Sequence, residues 1–361
     1  MKRALIATAM ALSCLPAFAA QDKGPAIVKY VQRLLPSCPG GKTTLEPLSQ
    51  EGPSGFNLYV ATQISSDTNC SAKKYVLYSP ATEQILMGQV FTLPPGPTLQ
   101  TRLEEEGGTL LKQPIHATID HTPLPDGLKR IAIFKDSTVG PFPYHAYVDA
   151  SERFMVIGFR GSLKTDAGKT MLETLGVSHG ARRGTQMAKT EIVELSDLEC
   201  PTCARVHQTL EPLLAKNLSH VSWVRLDLPL FEHHAWSLRG AMAARALQRL
   251  APAKYWGFVD FVFQNQETIG KTDFDKVFHD YCDDHEIDWK PVEKLYHSES
   301  ERKALLDQVS RAFDNGILST PTLFVNGQQI GFAEGGEYTL NQLKKAITGK
   351  AAEKPATGKS K

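Results

Sequence analysis

The feature that most constrains the fold of this 361-residue chain is a pair of cysteines between a short apolar run and an amphipathic helix. Residues 192–195 are mostly apolar and predict a buried strand, and Cys200-Pro-Thr-Cys203 follows after four residues. The next apolar residues recur at the spacing of a helix that lies on a sheet: Val206, Leu210, Leu213 and Leu214. The sequence therefore predicts a strand–turn–helix unit in which Cys200 lies at the helix N-terminus and Pro201 is the first helical residue.

This position has a chemical consequence for Cys200. Unpaired backbone N–H groups and the positive end of the helix dipole stabilise a thiolate over a thiol. Sites of this kind lower a cysteine pKa from about 8.5 to between roughly 3.5 and 7.5. Cys203 lies one turn further along and is expected to be more buried, as a resolving thiol would be. The pair is typical of disulfide exchange, in which a thiolate attacks and an intramolecular partner releases the mixed disulfide.

Other roles for such a cysteine pair are a zinc site, haem attachment and a static disulfide. A structural zinc site needs four ligands, and only Cys282 with His285 or His279 could complete it. Covalent haem attachment needs a histidine directly after the second cysteine, where this chain has Ala204. A static disulfide would be unusual at a strand-to-helix junction. A protein with such a disulfide would be a non-catalytic chaperone or binding module, and this alternative stays open.

A second element lies far downstream, where Thr320-Pro321-Thr322 precedes an apolar run, an Asn326-Gly327 turn and a second short run. This pattern predicts a β-hairpin. With the first unit, it resembles the thioredoxin superfamily, specifically the DsbA-like branch of exported thiol:disulfide oxidoreductases. The resemblance covers residues near 189 to 348 and includes a helical insertion at about 231–315. It implies an α/β fold, and we assign the thioredoxin-like domain to residues 187–348.

The resemblance also implies roles for three further residues. Pro321 is expected to carry a cis peptide bond and to face the cysteines, which would leave the Thr320 backbone free to pair with an extended substrate chain. Glu194 matches the buried acid beneath the disulfide in the family and would move the proton of Cys203. The alternatives are an ordinary trans proline at a strand start and a glutamate exposed at a sheet edge.

Two departures from the family bear on the direction of the reaction. Thr202 stands where many DsbA-type oxidases have a histidine that stabilises the thiolate. Asp197 and Glu199 bring negative charge close to Cys200 and would oppose thiolate formation unless they point away. We therefore expect an intermediate redox potential. The sequence does not choose between an oxidase and an isomerase or reductase.

The N-terminal sequence predicts export. Lys2 and Arg3 precede an apolar run and a small-residue cleavage site, so residues 1–19 are assigned as a signal peptide and the protein as periplasmic. In an oxidising compartment disulfides persist, and Cys38 and Cys70 are the candidate structural pair. A bridge between them would contribute about 3 kcal/mol by loop entropy.

Residues 20–186 read as a β-rich α+β accessory domain whose function stays open. A weak echo at a spacing of 69 residues predicts two related hairpin-plus-helix units. The echo pairs Tyr75, Tyr78, Ala81, Thr82 and Glu83 with Tyr144, Tyr147, Ala150, Ser151 and Glu152. Residues 178–186 have the composition of a linker, and residues 349–361 that of a disordered tail.

The net charge of the chain limits the class of binding partner. Without Lys2 and Arg3 of the leader the chain carries 38 basic and 39 acidic residues, so no nucleic acid partner is implied. We expect unfolded or partly folded exported polypeptides as substrates, together with a membrane redox partner. The predicted chemistry needs no metal and no diffusible cofactor.

Overall fold

The computed structural model describes residues 23–38, 40–65, 70–331 and 337–349. Its chain forms two β-sheets with helices packed against them. This is the predicted α/β class, with a β-rich N-terminal half followed by a thioredoxin-like C-terminal half. The predicted signal peptide and the predicted tail beyond Gly349 lie outside the described residues.

The first sheet is built from two four-stranded meanders. Its elements in chain order are α1 (Gly24–Gln32), β1 (Lys42–Pro47), β2 (Asn57–Ile64), β3 (Ser71–Tyr78), β4 (Gln84–Thr92), α2 (Leu99–Leu111), β5 (Ile115–Asp120), β6 (Lys129–Ser137), β7 (Gly140–Val148), β8 (Phe154–Ser162) and α3 (Ala167–Thr174). The strand order is β1-β2-β3-β4-β8-β7-β6-β5, and all neighbours are antiparallel. The meanders therefore meet at β4 and β8, where Gly88 lies opposite Gly158.

The sequence echo falls on matching parts of the two meanders. Its two copies lie on the hairpins β3–β4 and β7–β8, and a helix follows each hairpin. Both turns contain a glutamate with positive φ, at 60° for Glu83 and 57° for Glu152. The repeated pattern therefore marks turns of similar backbone conformation, which few residues other than glycine adopt easily.

The second sheet carries the cysteine pair. Its elements are β9 (Ala181–Gly184), β10 (Thr190–Ser196), α4 (Pro201–Ala215), β11 (Val221–Asp227), β12 (Thr322–Val325), β13 (Gln328–Ile330) and α10 (Glu337–Thr348). The strand order is β13-β12-β10-β11-β9, and β10 and β11 run parallel because α4 connects them. Side chains of α4 and α10 cover one face of this sheet, with Val206, Leu210 and Leu343 in the shared core.

Five helices form the insertion between β11 and β12. They are α5 (Ser237–Leu250), α6 (Pro252–Ile269), α7 (Phe274–Asp284), α8 (Trp289–Tyr296) and α9 (Glu299–Asp314). Ala243, Ala244 and Phe258 are fully buried there, so the alanine-rich and aromatic segments pack as core. Within the described ranges no helix is both long enough and apolar enough to cross a membrane.

The segment with linker composition is part of the second sheet. Residues 181–184 form β9, which pairs antiparallel with β11. The Arg183 guanidinium lies 4.8 Å from the ring centre of Trp223 and 4.3 Å from that of Trp256. An arginine can pack over aromatic rings in this way although its charge gives it a polar hydropathy. The sheet of the C-terminal half thus begins before residue 187.

The two halves share a common core and a polar seam. Phe142 of β7 contacts Phe231 and Phe313 of the C-terminal half, with ring centres 5.4 and 5.7 Å apart. The His145 N–H donates to the Asp314 carboxylate at 2.9 Å. On the other side of the molecule, the Gln328 amide donates to the Leu35 carbonyl at 3.0 Å. The accessory half is therefore packed against the second sheet and its insertion.

Candidate active site

Cys200 lies at the N-terminus of α4. It is the N-cap residue, Pro201 is the first helical residue, and the Ala204 N–H donates to the Cys200 carbonyl at 3.1 Å. Strand β10 ends at Ser196, so a short loop connects the sheet to the cysteine. Cys200 is buried, with 7% of its surface exposed.

The surroundings of Cys200 favour its thiolate. Its pKa is lowered to about 6, first by the hydrogen bond with Cys203 and then by the Thr320 side chain and the backbone N–H groups of Cys203 and Thr202, against the opposing effect of burial. A thiol with this pKa is mostly ionised at neutral pH. The group is therefore prepared to attack a disulfide.

Cys203 has the opposite environment. It is fully buried on α4, and burial raises its pKa well above the ordinary value; the Cys200 hydrogen bond and the charges of Cys200 and Glu194 act in the same direction. The two sulfurs therefore differ in kind, since one is a stable thiolate and the other holds its proton. This is the division expected of an attacking and a resolving cysteine.

The Thr320–Pro321 segment faces this pair, and its peptide bond is cis, as the resemblance implied. The Cys200 thiol donates to the Thr320 carbonyl across 3.6 Å. Strand β12 begins directly afterwards at Thr322 and pairs with β10, which brings two segments more than a hundred residues apart to one site.

Glu194 is enclosed beneath the cysteines on β10. It is 0% exposed, and neither carboxylate oxygen has a hydrogen-bond partner among the described residues. The alternative of an exposed edge glutamate does not match this position. Its charge acts on the proton affinity of Cys203, which indicates that the two groups are close.

Arg225 on β11 lies beside Glu194 in the strand register. Its buried guanidinium donates to Asp227 Oδ1 at 2.6 Å, to the Tyr255 hydroxyl at 3.0 Å and to the Ser196 carbonyl at 3.4 Å. Burying a charge is costly unless partners offset it, and the Asp227 carboxylate is the charged partner of Arg225, whose Nε has no hydrogen-bond partner among the described residues. The site therefore has a cation next to its unpartnered acid, which sequence reasoning did not foresee.

The acids flanking the motif point away from Cys200. Asp197 accepts hydrogen bonds from the Leu230 N–H at 2.8 Å and from the His234 ring at 2.7 Å. Glu199 accepts from the Trp236 N–H at 2.6 Å. Neither acid is among the largest causes that set the pKa of Cys200. Both acids are held by partners in the segment before α5.

His234 is a site residue that sequence reasoning missed. Its pKa is raised, first by the hydrogen bond to Asp197 and also by the charge of the Cys200 thiolate, against burial. No sequence signal identified it, because the insertion brings it to the site.

Gln266 on α6 also holds the active-site loop. Its side-chain amide donates to the Leu198 carbonyl at 2.7 Å and to the Cys200 carbonyl at 3.1 Å. These bonds fix the backbone just before the helix, where the Cys200 carbonyl also accepts the first helical bond, from the Ala204 N–H. The helical insertion therefore positions the cysteine loop as well as enlarging the core.

Three further cysteines lie in the described residues. Cys38 and Cys70 form the predicted disulfide, with Cα atoms 5.5 Å apart. Cys282 is a buried thiol on α7, and burial raises its pKa to about 11.

One group of three possible metal ligands also occurs in the described residues. His207, Glu211 and Asp260 have ligand atoms within 4.8 Å of one another. However, Arg183 donates to Glu211 at 2.9 Å and His207 bonds Asp260 at 2.5 Å, so each of these side chains already has a protein partner.

The class of the C-terminal half follows from its fold, its cysteine site and a family match. Residues 177–348, a little under half of the chain, match the family model described as Thioredoxin. Over these residues the chain matches the thioredoxin family, which agrees with the thioredoxin-superfamily resemblance inferred from the sequence.

Solved structures with a similar fold include two thiol-disulfide exchange proteins. The thiol-disulfide exchange protein alpha-DsbA2 from Wolbachia pipientis is 16% identical, with a TM-score of 0.42, over 52% of this chain and 97% of that one. MdbA, a thiol-disulfide oxidoreductase from Corynebacterium diphtheriae, is 21% identical, with a TM-score of 0.37, over 46% of this chain and 89% of that one.

The curated relatives that match are much longer proteins. The Na(+)/H(+) antiporter NhaA of Herminiimonas arsenicoxydans is 29% identical over 153 residues, which are 41% of this chain and 22% of that protein. The antiporter NhaA 1 of Mycolicibacterium gilvum is 28% identical over 150 residues, or 41% and 23%. The chain thus spans under a quarter of the length of these relatives.

Proposed function

We propose that this protein exchanges disulfides with polypeptide thiols through Cys200 and Cys203. The observation that carries the proposal is the contrast between the two sulfurs. The pKa of Cys200 is about 6 and that of Cys203 is raised well above its ordinary value by burial. A static disulfide needs no such contrast, whereas exchange needs one sulfur to attack or leave and the other to resolve.

The oxidising direction balances as follows. A client thiolate attacks the Cys200 sulfur of the Cys200–Cys203 disulfide, the bond between them breaks, and Cys203 leaves as a thiolate that takes up a proton. A second client thiolate then attacks the client sulfur of the mixed disulfide, and Cys200 leaves as a stable thiolate. The client loses two electrons to the cysteine pair. Glu194 is the buried group proposed to exchange the proton with Cys203.

Thr320 and Pro321 are proposed to position the client. The Thr320 carbonyl lies 3.6 Å from the Cys200 sulfur, so a client backbone paired with this segment would present its own sulfur to Cys200. Main-chain pairing does not depend on client sequence, which suits a broad set of unfolded or partly folded polypeptides.

The intermediate potential expected from the sequence has support in the site. A lower pKa of the attacking thiol stabilises the reduced form and makes the couple more oxidising. The value of about 6 for Cys200 lies between the roughly 7 of thioredoxin and the roughly 3.5 of the strong oxidant DsbA. We therefore propose a moderately oxidising couple that could serve oxidation or isomerisation.

Export to the periplasm is part of the proposal. The leader pattern of residues 1–19 supports it, and the Cys38–Cys70 disulfide suits an oxidising compartment. Each turnover leaves two electrons on the pair, or removes two in the reducing direction. A membrane redox partner is proposed to reset it.

The test compares three forms of the full chain. Oxidation of a dithiol peptide and reduction of insulin are measured for the unmodified protein, for Cys200→Ser and for Cys282→Ala, which removes a buried thiol far from the motif. We expect both reactions to disappear in Cys200→Ser and to persist in Cys282→Ala. Unchanged exchange in Cys200→Ser would leave the static-disulfide reading in its place. Recovery of a scrambled protein by the reduced form would identify an isomerase.

A further inference from the structure

An apolar groove lies where the two halves meet. It has a volume of about 290 Å³. Strands β4 and β8 of the first sheet form its floor and helix α2 forms one wall. Residues 313–316 and Leu318, at the end of α9 and just after it, form the other wall. Its larger apolar side chains include Met87, Phe91, Leu111, Ile133, Ile157 and Phe313. Both halves of the chain are therefore needed to build it.

Three glycines in the lining of this groove lie where the chain is closely packed. Gly88 and Gly158 are paired across β4 and β8, and a Cβ on Gly88 would lie 2.0 Å from the Ile157 carbonyl oxygen. A Cβ on Gly107 of α2 would lie 3.0 Å from a methyl group of Ile115. A larger residue at Gly88 would clash with the neighbouring backbone, so this part of the lining requires glycine.

The rim of the groove exposes apolar side chains to solvent. Leu318 is 65% exposed on one wall, and Leu110 is 38% exposed on the other. In the described part of the chain only six large hydrophobic residues are exposed, and two of them, Leu110 and Leu318, lie on this groove. Apolar groups collected around a concavity are typical of an interaction site, whereas single exposed ones are ordinary.

Two polar groups in the lining lack partners. For the Lys74 amine, the described residues provide no hydrogen bond or ion pair, although burial lowers its pKa. The Asn315 amide donates to the Arg311 carbonyl at 2.7 Å, but its own Oδ1 is buried without a partner. A peptide group offers both a carbonyl for such a donor and an N–H for such an acceptor. A pure hydrocarbon ligand would leave both unsatisfied.

The groove is continuous with the reactive sulfur. Leu318 precedes Thr320 by two residues, which span about 7 Å at most, and the Thr320 carbonyl is 3.6 Å from the Cys200 sulfur. An extended client held by its cysteine at Cys200 needs only a few residues to reach the rim. The wall of the groove that ends at Leu318 therefore leads along the chain to the proposed exchange site.

We propose that this groove binds an extended apolar segment of the client polypeptide, adjacent to the client cysteine that reacts with Cys200. The inference rests on the proposed function and adds a recognition step to it. Apolar client side chains enter between Leu110 and Leu318, while Lys74 and Asn315 pair with the client main chain. The accessory half thereby selects unfolded chains, whose apolar residues are exposed.

The experiment uses two peptides that each contain one mixed disulfide and differ only beside the cysteine, with Leu and Phe in one and Ser in the other. Reduction by the full chain is expected to be about tenfold faster for the apolar peptide, in keeping with burial of one or two side chains. Leu110→Gln should remove most of this preference. Leu250→Gln is the matched control, because Leu250 is 46% exposed on α5 and does not line the groove.

Glutathione disulfide separates the two proposals, since it has no apolar segment to place in the groove. Normal reduction of glutathione disulfide with no preference between the peptides would overturn the groove alone. If the unmodified protein reduced neither glutathione disulfide nor the peptides, the proposed function would be overturned. A preference that survives in Leu110→Gln would also exclude the groove.

Crosslinking supplies a direct readout. In Cys203→Ser the mixed disulfide with Cys200 is trapped, and a benzophenone placed beside the peptide cysteine is activated by light. Crosslinks to β4, β8 or α2 of the same molecule are expected. Crosslinks confined to the C-terminal half, or formed to a second copy of the chain, would contradict the proposal.

Discussion

Each half of the molecule buries a carboxylate completely, and the two are treated in opposite ways. Asp149, in the turn between β7 and β8, accepts five hydrogen bonds, four of them from backbone N–H groups. Glu194 on β10 accepts none from the described residues. A fully bonded buried acid stabilises a turn, whereas an unpaired one is costly and is typical of a functional site. The difference separates a structural half from a reactive one.

The largest effect is expected at Asp149. Asp149→Ala leaves several turn N–H groups without an acceptor and should lower the free energy of unfolding by about 3 kcal/mol. Chemical denaturation measures this, with Ser151→Ala, which removes a single side-chain donor, as the milder control. An unchanged midpoint for Asp149→Ala would show that water replaces the carboxylate and that the turn is not held by it.

The same carboxylate predicts a pH dependence. Burial alone would raise the pKa of Asp149, but the hydrogen bonds from Ser151 and from the backbone of Ser54 and Phe154 outweigh it, and the pKa is lowered. Its stabilisation is therefore present above the unfolded value of about 3.9 and is lost as the pH falls through the lower folded value. Asp149→Ala should flatten this part of the acid-unfolding curve.

Glu194→Gln should have the opposite effect to Asp149→Ala, with little change in stability and a slower reaction. Because the acid has no hydrogen bonds to lose, we expect the free energy of unfolding to change by less than about 1 kcal/mol. Resolution of the mixed disulfide by Cys203 should slow by about tenfold to a hundredfold, as for loss of a general acid or base. Stopped-flow measurement of that step gives the effect, and alkylation of Cys200 should stay normal. Slowing of both steps alike would indicate a general structural role.

The next prediction tests whether Cys200 is the reactive sulfur of this half. With a pKa of about 6, its alkylation by iodoacetamide should rise about tenfold between pH 5 and pH 7 and then level off. The Cys200→Ser variant provides the background rate. Because the folded pKa is lower than the unfolded one, the thiolate stabilises the reduced protein above about pH 8.5 and this contribution disappears as the pH falls through 6. A midpoint near 8.5 would contradict the proposed thiolate.

Sequence patterns predicted the parts of the site that have local signals. The strand–cysteine–helix unit and the Thr320–Pro321 hairpin are both short patterns with defined spacing, and the fold brings them together. Hairpins of the first sheet were predicted in the same way, but the pairing of β4 with β8 was not predicted. Long-range strand order depends on packing between distant segments, which no local period encodes.

The residues that sequence reasoning missed share one property. His234, Arg225 and Gln266 gain their roles from neighbours that are far away in sequence. Arg183 was assigned to a linker because its burial depends on two tryptophan rings and not on its own hydropathy. Polar residues in a helical insertion look like surface residues until the insertion is placed on the sheet.

The smallest effect is expected for a substitution of His234. This variant tests how much the helical insertion contributes to the reactivity of Cys200. The Cys200 thiolate raises the pKa of His234, so a protonated His234 must lower the pKa of Cys200 by the same interaction. His234→Asn can still donate to Asp197 but carries no charge. It should shift the pH midpoint of Cys200 alkylation upward by less than about one unit, with about a twofold to threefold loss of rate at pH 5.5.

His233→Asn is the matched control for this last measurement, because His233 is exposed and adjoins His234 in the chain. It should leave the alkylation midpoint where it is in the unmodified protein. An equal shift in both variants would mean that the loop, and not the His234 charge, determines the reactivity of Cys200. A shift confined to His234→Asn that shrinks as salt is added would assign the effect to charge, since screening weakens a partly exposed interaction.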